Sequence, residues 1–296
     1  MIEDLPLSRI ERLALKFGEL SNESARGKWL QTQFLRRVSY IWVRAGVAHR
    51  LFIEGLEDIQ QLTPDAGVML VSNHRSFFDQ YVLLLACWMG QIRWAEQLYF
   101  PVRANFFYDH PAGIVVNALV AGGAMYPPIY RQAERRALND GAVDKMIEIL
   151  GTKGNVIGMH PEGTRGKGDD PYTFLPAQPG VGKLALLAKP IVIPVFILGL
   201  GNRMLEDIKW NFSEAARREH AVIILYGKPI DYSDLTREKP RPTLYKKCAD
   251  RFMAEIGKLA ERERMLRADL CARKIGDDDP RWSTNKPNSK LYARRP

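Results

Sequence analysis

Short apolar runs that stop at polar, turn-forming clusters recur along the chain. The clearest is Val68-Met69-Leu70-Val71, which ends at Ser72-Asn73. An apolar run of this length, closed by residues that cap helices, reads as a buried strand of a parallel sheet. The run that follows, Tyr81 through Trp88, is too long for such a strand and reads as a helix. Asn155-Val156-Ile157-Gly158-Met159 repeats the form, a short strand running into a polar turn that contains glycine. Residues 49–55, 190–196 and 221–230 read as further strands. Residues 92–99 read as a strand region, and 122–131 as a short strand ending at a Pro-Pro turn. Helices are expected at 111–120, 132–151, 181–188 and 243–273. The alternation predicts an α/β fold, a mixed and mostly parallel sheet flanked by helices.

The N-terminal part follows a different pattern. Residues 5–22 set Leu5, Ile10, Leu13, Leu15 and Phe17 among charges, which predicts an amphipathic helix. From Arg26 to Arg50 there are six basic residues (Arg26, Lys28, Arg36, Arg37, Arg44, Arg50) and no acidic one. Trp29, Phe34, Tyr40 and Trp42 are interleaved with them. A basic helix carrying Trp and Tyr has the composition of an element that lies in a membrane interface. The expected layout is therefore an N-terminal amphipathic helical extension over 1–48, an α/β domain over 49–235, a C-terminal helix over 236–275 and a flexible tail over 276–296. The tail is assigned from Asp277-Asp278-Asp279 and the basic Asn/Pro/Ser-containing end.

Composition narrows the partners. The chain has 296 residues, enough to bury a sizeable core. A net charge of +9 favours an anionic partner: nucleic acid, a phosphorylated metabolite or an anionic membrane surface. Cys87, Cys248 and Cys271 are scattered, which suits a reducing compartment and argues against a zinc site or a disulfide framework. The chain starts Met1-Ile2-Glu3-Asp4 without an apolar signal-like run. No stretch of about 20 uninterrupted apolar residues indicates a spanning helix.

Candidate chemistry sits at the two strand ends. His74 and Asp79 lie five positions apart at a strand-to-helix turn. In open α/β sheets that edge is where ligands bind. An imidazole is an effective general base near neutral pH, and a carboxylate that accepts its other ring N–H fixes the tautomer. The helix N-terminus helps hold the ring neutral. The second turn carries Pro161-Glu162-Gly163-Thr164-Arg165. Arg165 is suited to bidentate phosphate recognition, and Gly163 would let backbone N–H groups approach an anion.

These residues resemble a known family. Asn73-His74-Arg75-Ser76-Phe77-Phe78-Asp79 is similar to the His-x4-Asp block of the glycerolipid and lysophospholipid acyltransferases, and Pro161 to Arg165 to their Pro-Glu-Gly-Thr-Arg block. The two occur in the family's order, 83 residues apart from Asp79 to Glu162, within a resemblance that runs from Phe52 to Lys228. The resemblance implies acyl transfer from acyl-CoA or acyl-carrier protein to the free hydroxyl of a lysophospholipid, foremost 1-acyl-sn-glycerol-3-phosphate, giving phosphatidic acid. It gives His74 the role of base and Asp79 that of its orienter. It gives Arg165, Gly163 and Arg131 contacts to the lysolipid phosphate, with Arg131 standing for an Arg that ends the family's second block. Glu162 is left to orient either Arg165 or the substrate glycerol. No metal or bound cofactor is required. The implied location is the cytoplasmic face of a membrane, as a monotopic or peripheral protein. The sequence departs from the family after Arg165, where Phe174 to Gly180 lacks the usual lysine.

Other readings fit less. Gly182-Lys183-Leu184 and Gly166-Lys167-Gly168 both fail the P-loop pattern, and no Gly-x-Gly-x-x-Gly supports a dinucleotide site. No Gly-x-Ser-x-Gly offers a nucleophile elbow, and Ser76 reads as a hydrogen-bonding residue at the helix start. A basic nucleic-acid-binding or membrane-binding protein without catalysis would explain residues 26–50 but not a His/Asp turn beside a Glu/Arg turn, so nucleic acid is not expected as a partner. Another lysolipid or glycerol-3-phosphate remains the alternative acceptor.

Overall fold

The computed structural model describes residues 7–130, 135–214 and 216–286, except for the side chains of residues 136 and 137. Helix α1 (Arg9–Glu23) opens on a capping box in which Ser8 and Glu11 each bond the other's backbone N–H. Helix α2 (Ala25–Phe34), a π-helical turn at Leu35–Ser39 and helix α3 (Tyr40–Val47) then run on as one basic helical stretch. Strand β1 (Leu51–Glu54) and the short α4 (Leu56–Gln60) lead to β2 (Val68–Ser72) and α5 (Asp79–Met89), both fully buried. Next come β3 (Gln97–Tyr99), β4 (Val102–Arg103), α6 (Ala104–Phe107), α7 (Pro111–Leu119) and β5 (Pro128–Ile129). The last third of the fold holds α8 (Arg136–Leu150), β6 (Asn155–Met159), α9 (Pro179–Ala188), β7 (Ile191–Leu198), α10 (Met204–Asn211), α11 (Ala216–Glu219), β8 (Val222–Tyr226), α12 (Ser233–Thr236) and α13 (Pro242–Cys271).

The main sheet has the order β1-β8-β7-β2-β6-β3. Only β7 and β8 pair antiparallel, so the sheet is mixed and mostly parallel. Its strands are apolar on both faces because helices cover both faces. One core packs α5 and the N-terminal helices against the sheet, and a second packs α9 and α13 on the opposite side. Strands β2 and β6 are parallel neighbours, with Val71 opposite Met159. The turns that leave them therefore emerge side by side.

Four expectations need adjustment. The strand region at 92–99 shrinks to Gln97–Tyr99. Residues 122–126 form a turn, since Gly122 and Gly123 both take positive φ (57° and 85°), and the strand follows Pro127 rather than preceding it. That two-residue strand, β5, pairs in parallel with β4, with Arg103 opposite Ile129. The tail, expected to be flexible from 276, is packed as far as residue 286. Trp282 is buried edge-on against Phe52, and Ile53 N and Ser283 N donate to Arg281 O and Leu51 O at 2.8 Å each. This segment covers the exposed edge of β1, and one buried indole outweighs the surrounding polar composition.

The basic stretch also divides. Lys28 is buried, its Nζ 2.8 Å from Leu98 O and 3.3 Å from the centre of the Tyr99 ring. Arg50 is buried against Asp207, Gly199 O and His220 O. Lys28 fastens the extension to the domain and Arg50 anchors the segment just before β1, while Arg26, Arg36 and Arg37 are exposed and Arg44 is half-buried. Exposed apolar side chains line the same elements: Ile10, Leu13, Phe17 and Leu20 on α1, and Trp29 and Leu30 on α2. Val115 and Leu119 on α7 are exposed as well. Among the described residues no helix is long and apolar enough to cross a membrane.

Candidate active site

Asn73 directly follows the last residue of β2. Its side-chain amide exchanges two 2.8 Å hydrogen bonds with the Ile197 backbone of β7. The chain then turns sharply, and Asp79 enters as the first residue of α5. Its Oδ2 accepts Arg75 N at 2.6 Å and Ser76 N at 2.7 Å, and lies 3.1 Å from His74 Nδ1. The carboxylate is buried, at the helix end that favours negative charge. It can accept but not donate while ionised, so the shared proton rests on His74 Nδ1 and leaves Nε2 as a lone-pair acceptor. Burial, then the charges of Arg165 and Arg103, lower the His74 pKa to about 3. Burial raises Asp79 to about 6, against the pull of His160 and of its own backbone donors. A neutral imidazole held by an ionised carboxylate is the resting state above that value.

The second turn is bolted to the first. Glu162 is buried; its Oε1 accepts His74 N and its Oε2 accepts Leu175 N, both at 2.9 Å. Both oxygens thus serve backbone donors, and Glu162 orients the His74 turn and the 175 loop. This differs from the two roles the resemblance offered, toward Arg165 or toward glycerol. Burial raises its pKa despite these donors. Gly166 N donates to His74 O at 2.9 Å. Gly163 has φ 63° and gives its N–H to His160 O at 2.9 Å, which closes the turn; the sequence reading has this glycine letting backbone N–H groups approach an anion. Its carbonyl accepts Arg103 Nη2 at 2.8 Å.

Arg165 donates to Asn202 Oδ1 at 2.7 Å, and the same oxygen accepts Phe77 N at 3.1 Å. Arg75, Arg165, Lys167 and Asn202, with Leu198 and Leu200, line an open cleft of about 520 Å³ beside the His74 turn. Leu200 also borders a small apolar slot of about 20 Å³ between α3, α5 and α10, lined by Trp42, Val47, Phe78 and Met204. Arg131 lies outside the described residues. The arginine that the fold brings beside Gly163 is Arg103, from β4. Sequence reading passed over Arg103 because its placement depends on the two-residue β4–β5 pairing. It also gave His160 no role, although this residue precedes the Pro-Glu-Gly-Thr-Arg run. The His160 ring stacks on that of His74, centroids 3.9 Å apart and planes 5° from parallel. Among the described residues no group of His, Cys, Asp and Glu is arranged to hold a metal.

Comparison with known proteins bears on this geometry. Residues 50–198, about half of the chain, match the acyltransferase family. The chloroplastic 1-acyl-sn-glycerol-3-phosphate acyltransferase of Arabidopsis thaliana is 26% identical over 204 residues, covering 67% of this chain and 49% of that protein. The 1-acyl-sn-glycerol-3-phosphate acyltransferase of Borreliella burgdorferi is 24% identical over 183 residues, 59% of this chain and 64% of that protein. The chain therefore matches about half the length of the first relative and under two thirds of the second. The solved structure of the 1-acyl-sn-glycerophosphate acyltransferase from Thermotoga maritima aligns over 84% of this chain and 88% of that one, at 16% identity and a TM-score of 0.45.

Proposed function

The chain belongs to the acyltransferase family, and from that premise we propose that it moves a fatty acyl group from a thioester donor to 1-acyl-sn-glycerol-3-phosphate, giving phosphatidic acid at a membrane surface. The observation that carries the reading is the neutral His74 held by buried Asp79, with Arg165 and Arg103 close enough to act on its charge. In this reading the phosphate of the acceptor lies against Arg165 and Arg103, and its free hydroxyl points at His74 Nε2. The hydroxyl oxygen attacks the thioester carbonyl as its proton passes to Nε2, and Asp79 stabilises the imidazolium that forms. The C–S bond then breaks, the proton goes to the leaving thiol, and the ester remains on the glycerol. Acyl-CoA and acyl-carrier protein both supply such a thioester.

Membrane association is part of the same proposal. The exposed apolar side chains of α1 and α2, with Arg26, Arg36, Arg37 and Arg44 nearby, have the chemistry of an element seated in an anionic interface. This arrangement suits a monotopic or peripheral protein on the cytoplasmic face.

The test is turnover by the purified full chain on anionic vesicles. Labelled acyl-CoA or acyl-carrier protein would be supplied with lysophosphatidate, other lysolipids or glycerol-3-phosphate. Phosphatidate formed from lysophosphatidate in preference to the other products is the expected result. Acylation of a different lysolipid would move the head-group assignment, and no acyl transfer to any acceptor would overturn the proposal.

A further inference from the structure

His160 does more than fill space beneath the site. Its Nδ1 lies 3.0 Å from Ser72 Oγ and 3.1 Å from Ser72 O. A carbonyl oxygen can only accept, so the Ser72 carbonyl calls for a proton on Nδ1. Its Nε2 is then a bare acceptor, and it is shut off from solvent with no partner. A buried polar atom without a hydrogen bond is unfavourable, so nothing at Nε2 explains the residue. What the ring does offer is a flat face, 3.9 Å from His74 and nearly parallel to it. The two rings meet because β2 and β6 are neighbours in the sheet and both chains turn at the same level.

His74 itself needs such a support. Asp79 holds one nitrogen, and a single hydrogen bond at Nδ1 leaves the ring free to pivot about that contact. Glu162 and Gly166 fix the backbone of His74 but not its ring. The charged side chains around the pair are Asp79 from α5, Arg75 from the first turn, Glu162 and Arg165 from the second, and Arg103 from β4. The ring stacked on His74 is that of His160. We propose that His160 is a positioning residue for the base: its ring, tied to Ser72, sets the plane of the His74 imidazole and so aims Nε2 at the acceptor hydroxyl. The proposal rests on the acyl-transfer reading of the site.

The experiment compares His160→Phe with His160→Leu in the full chain on vesicles. Phenyl keeps a flat face and removes both ring nitrogens, the one tied to Ser72 included, so it isolates the plane; leucine fills similar space without a plane. The Phe variant should hold kcat within several-fold of the parent. The Leu variant should lose on the order of 10- to 100-fold in kcat, the scale of a slightly misaimed catalytic group. The acceptor KM should stay within about twofold in both, because His160 lies behind the base and the acceptor phosphate is held by arginines. Equal kcat in the two variants, whether parental or reduced, would overturn the proposal. If the Leu variant does not fold, the Phe variant decides: a loss as large as that expected for leucine contradicts the role. Ring-current shifts of the His74 ring protons in the NMR spectrum give a readout that needs no turnover. They should persist in Phe and collapse in Leu. Their absence from the parent would refute the stack itself, whereas a stacked but inactive parent would refute the acyl-transfer reading alone.

Discussion

At the His74 turn polar groups meet polar partners at close range, whereas along α1 and α2 large apolar side chains face outward without cover. Asp79 gathers three donors on one oxygen, and Glu162 joins two segments through one carboxylate. Ile10, Leu13, Leu20, Trp29 and Leu30 are each at least half exposed. The first region lowers the freedom of groups that act on a bond. The second leaves its binding energy to be realised against something else. The proposed function calls for both, a fixed geometry for the chemistry and a surface from which the substrate arrives.

The largest effect should come from breaking the first region at its centre. His74→Ala should retain the fold and lose on the order of 100- to 10,000-fold in kcat, the usual contribution of a positioned general base. Folded protein with parental turnover would remove His74 from the chemistry. The second region is broken by replacing Arg36, Arg37 and Arg44 with Gln. At about 1 kcal/mol per cation near an anionic surface, vesicle binding at low salt should fall roughly 10- to 100-fold, and by less at high salt. Arg36 lies 4.9 Å from the Trp88 ring and Arg44 lies 5.7 Å from that of Tyr40, which moderates the loss. Sedimentation with vesicles measures this. Binding equal to the parent would make the stretch an ordinary packed helix.

Two smaller predictions sharpen the contrast. In Glu162→Gln one carboxylate oxygen becomes an NH2 that faces a backbone N–H. About 1–3 kcal/mol of stability should be lost, together with part of kcat, as thermal melting and turnover would show. A vesicle-binding curve unchanged from the parent is expected, because the two regions are separate. Arg165→Lys keeps the charge but loses the planar fork, so the acceptor KM should rise by roughly five- to tenfold with the donor KM steady. A rise confined to the donor would place Arg165 on the thioester side.

How legible all this was depended on the range of the interactions. His74 and Asp79 could be read directly, because an apolar strand, a capping pair and a helical run bracket them locally. Glu162 could be found but not understood, since its partners, His74 N and Leu175 N, are set by sheet order. Arg103 and His160 escaped for the same reason: one depends on the β4–β5 pairing, the other on the adjacency of β2 and β6. Lys28 and Arg50 show that composition counts cations without saying which way they point. Trp282 shows that one aromatic residue can dock a segment whose other residues are polar.

The central claim is that a neutral His74, held by an ionised Asp79, does the chemistry. Burial sets Asp79 at about 6 and, with Arg165 and Arg103, sets His74 at about 3. Falling pH therefore reaches the carboxyl first. A carboxyl whose pKa is raised takes up its proton as pH drops through about 6, and it then no longer accepts the His74 N–H as an anion. The rate should fall on the acid side of that value. The measurement is kcat against pH, from about pH 5 to about pH 8, for the parent and for Asp79→Asn. The parent should show an acid limb near 6, and the Asn variant a rate lower by on the order of 100-fold with no such limb. The same limb in both proteins would contradict the account.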